Sequence, residues 1–176
     1  QFKAIHDATS FPIVIYNVPP RTAIDMSVDT LARVAKLPRV IGVKDATADL
    51  ARPIRTRIAI GKDFCQLSGE DATALPFLIQ GGHGCISVTA NAAPKLTAEM
   101  HAAWRKGDID TAMALNEKLM PLNDAMFCET SPGPVKFATS LLGHGTSELR
   151  LPMAPIAEAS RGKVEAAMKK VGLIGQ

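Results

Sequence analysis

Two residues suggest chemistry before any fold is drawn. Lys44 ends the apolar run "VIGVK", residues 40 to 44, where a buried strand would leave the core. Tyr16 ends a second such run, "FPIVIY", and is the chain's single tyrosine. A lysine amine in a desolvated site loses the stabilisation of its charge, and its pKa falls from about 10.4 toward neutrality. The neutral amine attacks carbonyl carbon and forms a Schiff base. Imine formation passes through a carbinolamine that must gain and lose protons, and a phenol held close by can relay them. Strand side chains alternate, so Lys44 is expected to share a face with Gly42 and Val40, and Tyr16 with Val14 and Pro12. Gly42 is expected to leave room beside the lysine stem. The plainer reading is that Lys44 reaches solvent from a strand end and pairs with Asp45.

Such residues need a scaffold that sets two strand ends side by side. The apolar runs "FPIVIYNV", "VIGVK", "FCQLS" and "GCISV" begin near residues 12, 40, 64 and 84. Helical patterns separate them. "SVDTLARVAKL" has Ser27 as a natural N-cap. "LARPIRTRIAI" tolerates Pro53 only in its first turn. "GEDATALPFLIQGG" ends in glycines. Short apolar strands joined by helical crossovers are the pattern of parallel strands buried on both faces. After the fourth strand only helices are read: "KLTAEMHAAWRKG", "DIDTAMALNEKLMPLNDAMF", "PVKFATSLLG" and "SRGKVEAAMKKVGL". Met100, Trp104, Met113, Leu119 and Met120 are expected in their core.

The fold class expected is α/β, a (β/α)8 barrel of which this chain supplies the second half, four βα units, plus a C-terminal helical tail. Residues 1–91 would form the barrel half (strands 5 to 8), and 92–176 the last barrel helix and the helical region. A doubly wound open sheet is the rival, but no glycine-rich phosphate loop follows any strand. "GGHG", residues 81 to 84, precedes a strand and so lies at the wrong end for phosphate. The start, "QFKAIHDATS", lacks methionine and reads as the last turns of a helix, so a piece of a longer chain is expected.

Composition narrows the function. The net charge of +3 is spread without a basic block, which argues against nucleic acid. No apolar run approaches the roughly 18 residues of a membrane span. The three cysteines, Cys65, Cys85 and Cys128, show no CxxC spacing, so neither a disulfide scaffold nor a zinc site is expected, and a reducing cytoplasm fits. His6, His83, His101 and His144 have no ligand spacing. Glu70 and Asp71 are assigned to the start of a helix.

"YNVPPRT" followed by "VIGVKDAT" resembles the paired signature of the dihydrodipicolinate synthase and N-acetylneuraminate lyase family. The likeness runs on through "LSGEDATALPFLIQGGHGCISVTAN", "LMPLNDAMF" and "LRLPMAPI", over essentially the whole chain. The resemblance implies a class I, Schiff-base-forming barrel enzyme that needs no metal or organic cofactor. It makes Lys44 the amine that captures pyruvate and Tyr16 the proton-relaying phenol. It makes Arg21 the guanidinium that holds the carboxylate of aspartate semialdehyde, which points to the lysine and diaminopimelate branch. Ile86 matches a residue whose backbone carbonyl faces the site, and Gly69 a glycine lining it. A cytoplasmic homotetramer is implied, with pyruvate and aspartate semialdehyde as partners. The family's pyruvate-carboxylate threonines, second relay tyrosine and lysine feedback site would lie outside these 176 residues. Two alternatives stand: a sister aldolase that cleaves N-acetylneuraminate or a keto-deoxy-sugar acid to pyruvate, and a non-catalytic half-barrel.

Overall fold

A computed structural model describes residues 1–175. The chain divides into two compact units, Gln1–Ile86 and a second from Ser87 onward. The first carries four parallel strands in sequential order: β1 (Ile13–Asn17), β2 (Val40–Asp45), β3 (Cys65–Ser68) and β4 (Gly84–Cys85). Between them lie α2 (Pro19–Thr22), α3 (Val28–Val34), α4 (Arg52–Ile60) and α5 (Ala74–Ile79), with α1 (Phe2–Ala8) ahead of β1. Ser27 caps α3 by accepting from the Thr30 N–H at 3.2 Å, and Pro53 sits in the first turn of α4, as their residue types predict.

Sequential order means that each crossover returns its strand to the adjacent place on the sheet. The order never reverses, whereas a doubly wound sheet reverses at its switch point. One face of the sheet packs on helices. Ile15, Val40, Val43 and Phe64 are buried there with Leu31 of α3, and Phe2, Val34 and Ile60 close around them. The other face is open: Val14 and Tyr16 are 42% and 51% exposed. Within these residues the sheet is thus covered by helices on one face only.

Several expectations need correction. Val40 belongs to the helix-covered core and not to the Lys44 face, because the β1–β2 register shifts between Ile13 and Val14 and breaks the alternation at Ile41. Strand β4 is two residues long, and "ISV" turns away into a 3-10 turn at Thr89–Asn91. Helix α5 begins only at Ala74, after Thr73. Glu70 and Asp71 stand in the turn ahead of it, where Glu70 Oε1 accepts from the Ala72 N–H at 3.3 Å.

The second unit is helical: α6 (Pro94–Lys106), α7 (Ile109–Ala125), α8 (Gly133–Leu141) and α9 (Glu158–Val171). Leu119, Leu122, Met126, Val164 and Met168 are fully buried in it. Met100 and Leu119 are core as expected, but Met113 is 43% exposed. Thr89 donates to Asn123 of α7 at 2.7 Å inside this unit.

A carboxylate fixes the entry to α9. Glu129 Oε1 accepts from the Ala157 N–H at 2.9 Å. The Ser160 hydroxyl, then the Ala157 N–H, hold the Glu129 carboxyl below its ordinary value of 4.5. A depressed folded-state pKa contributes stability above the unfolded value and loses it as pH falls through the folded one. Urea titrations are therefore expected to show Glu129→Gln less stable than wild type at pH 7. The difference should shrink as pH drops below 4.5.

Candidate active site

Parallel pairing sets the geometry. Tyr16 lies directly opposite Lys44, and Asn17 opposite Asp45, in the β1–β2 register. Lys44 in turn pairs with Leu67, Asp45 with Ser68, and Ser68 with Cys85. The C-terminal ends of all four strands thus lie in one row, and the loops that follow them share one end of the sheet.

Lys44 and Tyr16 meet on the open face. The Lys44 Nζ stands 4.1 Å from the centroid of the Tyr16 ring. The amine lies over the ring face, with no hydrogen bond to the hydroxyl among the described residues. A ring face attracts a cation by roughly 0.5–1 kcal/mol at an exposed site. This contact parks the side chain along the sheet, and the plainer reading, an ion pair with Asp45, does not hold. Asp45 points to the other face and is 6% exposed; its Oδ2 lies 2.9 Å from Arg52 Nε.

Gly69 completes the cluster. A Cβ placed there would come within 2.8 Å of Ala46 Cβ, 3.1 Å of Lys44 Cε and 3.2 Å of the Asp45 carbonyl. The room beside the lysine stem is therefore made by Gly69, not by Gly42. At Gly42 a Cβ would meet the Cys65 carbonyl oxygen at 2.6 Å, so that glycine admits the β3 backbone instead. The structure sets Lys44 over Tyr16 and Gly69 beside the lysine stem. Arg21 and Ile86 share the same end of the sheet. Arg21 is exposed on α2, just after β1. Ile86 follows β4, where its N–H donates to the Ser68 carbonyl at 2.9 Å.

Two features were missed from the sequence. Burial, helped by the Asp71 carboxylate, pushes the Cys85 thiol up to about 12, so it is no rival nucleophile at neutral pH. The second is a polar network behind the cluster, through Asn17, Asp45 and Arg52, all buried. Its signal was present: a polar residue follows Tyr16 and another follows Lys44, on the face the helices cover. Among the described residues no group of histidine, cysteine, aspartate and glutamate is arranged to hold a metal ion. No helix there is long and apolar enough to cross a membrane.

Residues 1–171 match the model of the dihydrodipicolinate synthetase family. The chain belongs to this family. It is 62% identical over 173 residues to the 4-hydroxy-tetrahydrodipicolinate synthase of Rhodospirillum centenum, covering 98% of this chain and 60% of that protein. The enzyme of the same name from Acidiphilium cryptum is 60% identical, again over 98% of this chain, and 59% of it is covered. Among solved structures, a chloride-inhibited dihydrodipicolinate synthase from Acinetobacter baumannii, complexed with pyruvate, superposes with a TM-score of 0.93. It is 40% identical, and the match covers 98% of this chain and 60% of that one. The chain thus spans about 60% of the length of the curated relatives it matches. These shares measure the common segment and not its place in the relatives, so they do not bear out the expected placement in the C-terminal portion.

The crowding at Gly69 is testable in this family's fold. Gly69→Ala is expected to lower stability by about 1–3 kcal/mol, the usual cost of overpacking. Gly84→Ala is the control, since its Cβ would meet only Leu67 Cδ2, at 3.4 Å. That change should cost less than about 0.5 kcal/mol. Urea midpoints of the two variants of the full-length protein, at constant slope, check the difference.

Proposed function

We propose that this chain carries the nucleophile-bearing part of a 4-hydroxy-tetrahydrodipicolinate synthase, which condenses pyruvate with L-aspartate-4-semialdehyde. The observation that carries the reading is the Lys44 amine held over Tyr16 at the C-terminal ends of adjacent parallel strands. Family membership and relatives of that name support it. The sequential strand order and one-sided helix packing support four consecutive units of a (β/α)8 ring, with the open face turned to the ring's interior. Residues 1–91 as barrel units and 92–176 as a helical region belong to the same proposal, as do a cytoplasmic setting and a homotetramer.

Attack requires the neutral amine, so a proton leaves Lys44 first. The Nζ lone pair then bonds to C2 of pyruvate. The resulting hydroxyl departs as water, with Tyr16 relaying the proton, and an imine is left. Loss of a C3 proton gives the enamine, the imine nitrogen serving as the electron sink. The enamine carbon attacks the aldehyde of the semialdehyde, whose carboxylate Arg21 holds through its planar pair of donors. The semialdehyde's own amine then displaces Lys44 as the ring closes. This sequence needs no metal or organic cofactor. Gly69 leaves the lysine stem free to swing from the ring face to the keto acid, and Ile86 lines the pocket through its backbone.

The test is a steady-state assay of the full-length protein on both substrates. Arg21→Ala is expected to raise KM for the semialdehyde about tenfold to a hundredfold, the value of a charge-assisted contact, with the pyruvate KM little changed. An unchanged semialdehyde KM removes Arg21 from its role. Faster cleavage of N-acetylneuraminate than condensation would favour the sister-aldolase reading.

A further inference from the structure

We propose that Arg52 is a positioning residue: its one guanidinium ties together the two strand positions that aim Lys44 and Tyr16. The proposal deepens the functional reading above and rests on it for its catalytic readout.

The contacts run as a closed chain on the helix-covered side of the sheet. Arg52, at the start of α4, is 5% exposed. Its Nε lies 2.9 Å from Asp45 Oδ2, and its Nη1 lies 3.2 Å from Asp25 Oδ1. Its Nη2 donates to the Met26 carbonyl. Asp25 Oδ1 also accepts from the Asn17 amide at 2.8 Å, and the Met26 N–H donates to Asn17 Oδ1 at 3.1 Å. On the other arm, Asp45 Oδ1 accepts from the Thr47 N–H at 2.9 Å and its hydroxyl at 2.7 Å. Asn17 and Asp45 are opposite one another in the register. Each directly follows a residue of the Lys44–Tyr16 pair.

Successive strand side chains leave the backbone in opposite directions. Fixing Asn17 and Asp45 on one face therefore fixes the direction in which Tyr16 and Lys44 leave the other. Stability alone does not call for this arrangement. One step earlier, Ile15 and Val43 fill the same face with apolar side chains. Replacing a buried ion pair by well-packed apolar residues is often neutral or stabilising. What an ion-paired, hydrogen-bonded cluster adds is a single geometry. A misplacement of about 1 Å at a reacting group can cost about a hundredfold in rate.

Arg52→Lys keeps the charge and loses the fork. Asp25→Ala cuts the arm to Asn17 at a side chain that is 53% exposed, where the fold tolerates truncation. Asp25→Asn keeps an acceptor for Asn17. Two rates are read on full-length protein, each per folded molecule by circular dichroism. One is the rate of borohydride-trapped imine formation with pyruvate. The other is acetylation of Lys44 by acetic anhydride, with exposed Lys95 as internal reference. In Arg52→Lys and Asp25→Ala, the expected imine rate falls by about tenfold to a hundredfold. Lys44 acetylation rises about two- to fivefold, the factor for losing a cation–π contact at an exposed site. Asp25→Asn recovers most of both changes. A purely structural role would lower the melting temperature and leave both rates as in wild type, and that result overturns the proposal. If wild-type protein forms no imine with pyruvate, the functional reading falls, and the acetylation rates still decide the positioning claim.

Discussion

The parallel register between β1 and β2 is the constraint on which the rest depends. It sets residue 16 opposite residue 44 and residue 17 opposite residue 45. A one-residue slip turns every side chain of the slipping strand to the other face. If β2 slipped against β1, Lys44 would point into the helix-covered core and Asp45 to the open face, while Tyr16 and Asn17 kept theirs, so the amine and the phenol would lie on opposite faces. The register is held by the apolar core below, where Ile15 and Val43 pack with Leu31 and Phe64, and by polar contacts above. The Ala46 N–H donates to the Asn17 carbonyl at 2.9 Å and the Gly69 N–H to the Asp45 carbonyl at 2.6 Å, so the ladder continues past the strand ends into the loops.

The strand ends are consequently two-faced. One face presents an amine and a phenol to open space. The other presents buried polar groups joined by one guanidinium. Glycines mark the places where this double duty is tightest. Gly42 admits the β3 backbone and Gly69 admits the lysine stem. Nearby, Cys85 is kept as a thiol by burial and by the Asp71 charge, so the cluster holds one nucleophile class and not two.

Much of this was legible in the residues. The four strands, their parallel sense and the pairing of Tyr16 with Lys44 follow from apolar runs, helical spacing and period-2 alternation. Alternation misled at Val40, because it assumes an unbroken register and the ladder shifts at Ile13 and Val14. It also could not show which glycine makes room for Lys44. That depends on the approach of β3 and its loop, a contact between segments some 25 residues apart. "GCISV" has the composition of a full strand, yet pairing with β3 lasts only two residues. The place of Arg52 in the network is not legible in the residues, because a charged residue at a helix start is ordinarily solvated. Only the fold shows it turned inward between two carboxylates.

The central claim is that Lys44 is the amine that captures a keto acid. Peptide mapping of the full-length protein after borohydride reduction with pyruvate tests it most directly. The account predicts a reduced pyruvyl adduct on the peptide containing Lys44, absent when either pyruvate or borohydride is left out and absent in Lys44→Arg. An adduct on a different lysine, or one that persists in Lys44→Arg, would contradict it.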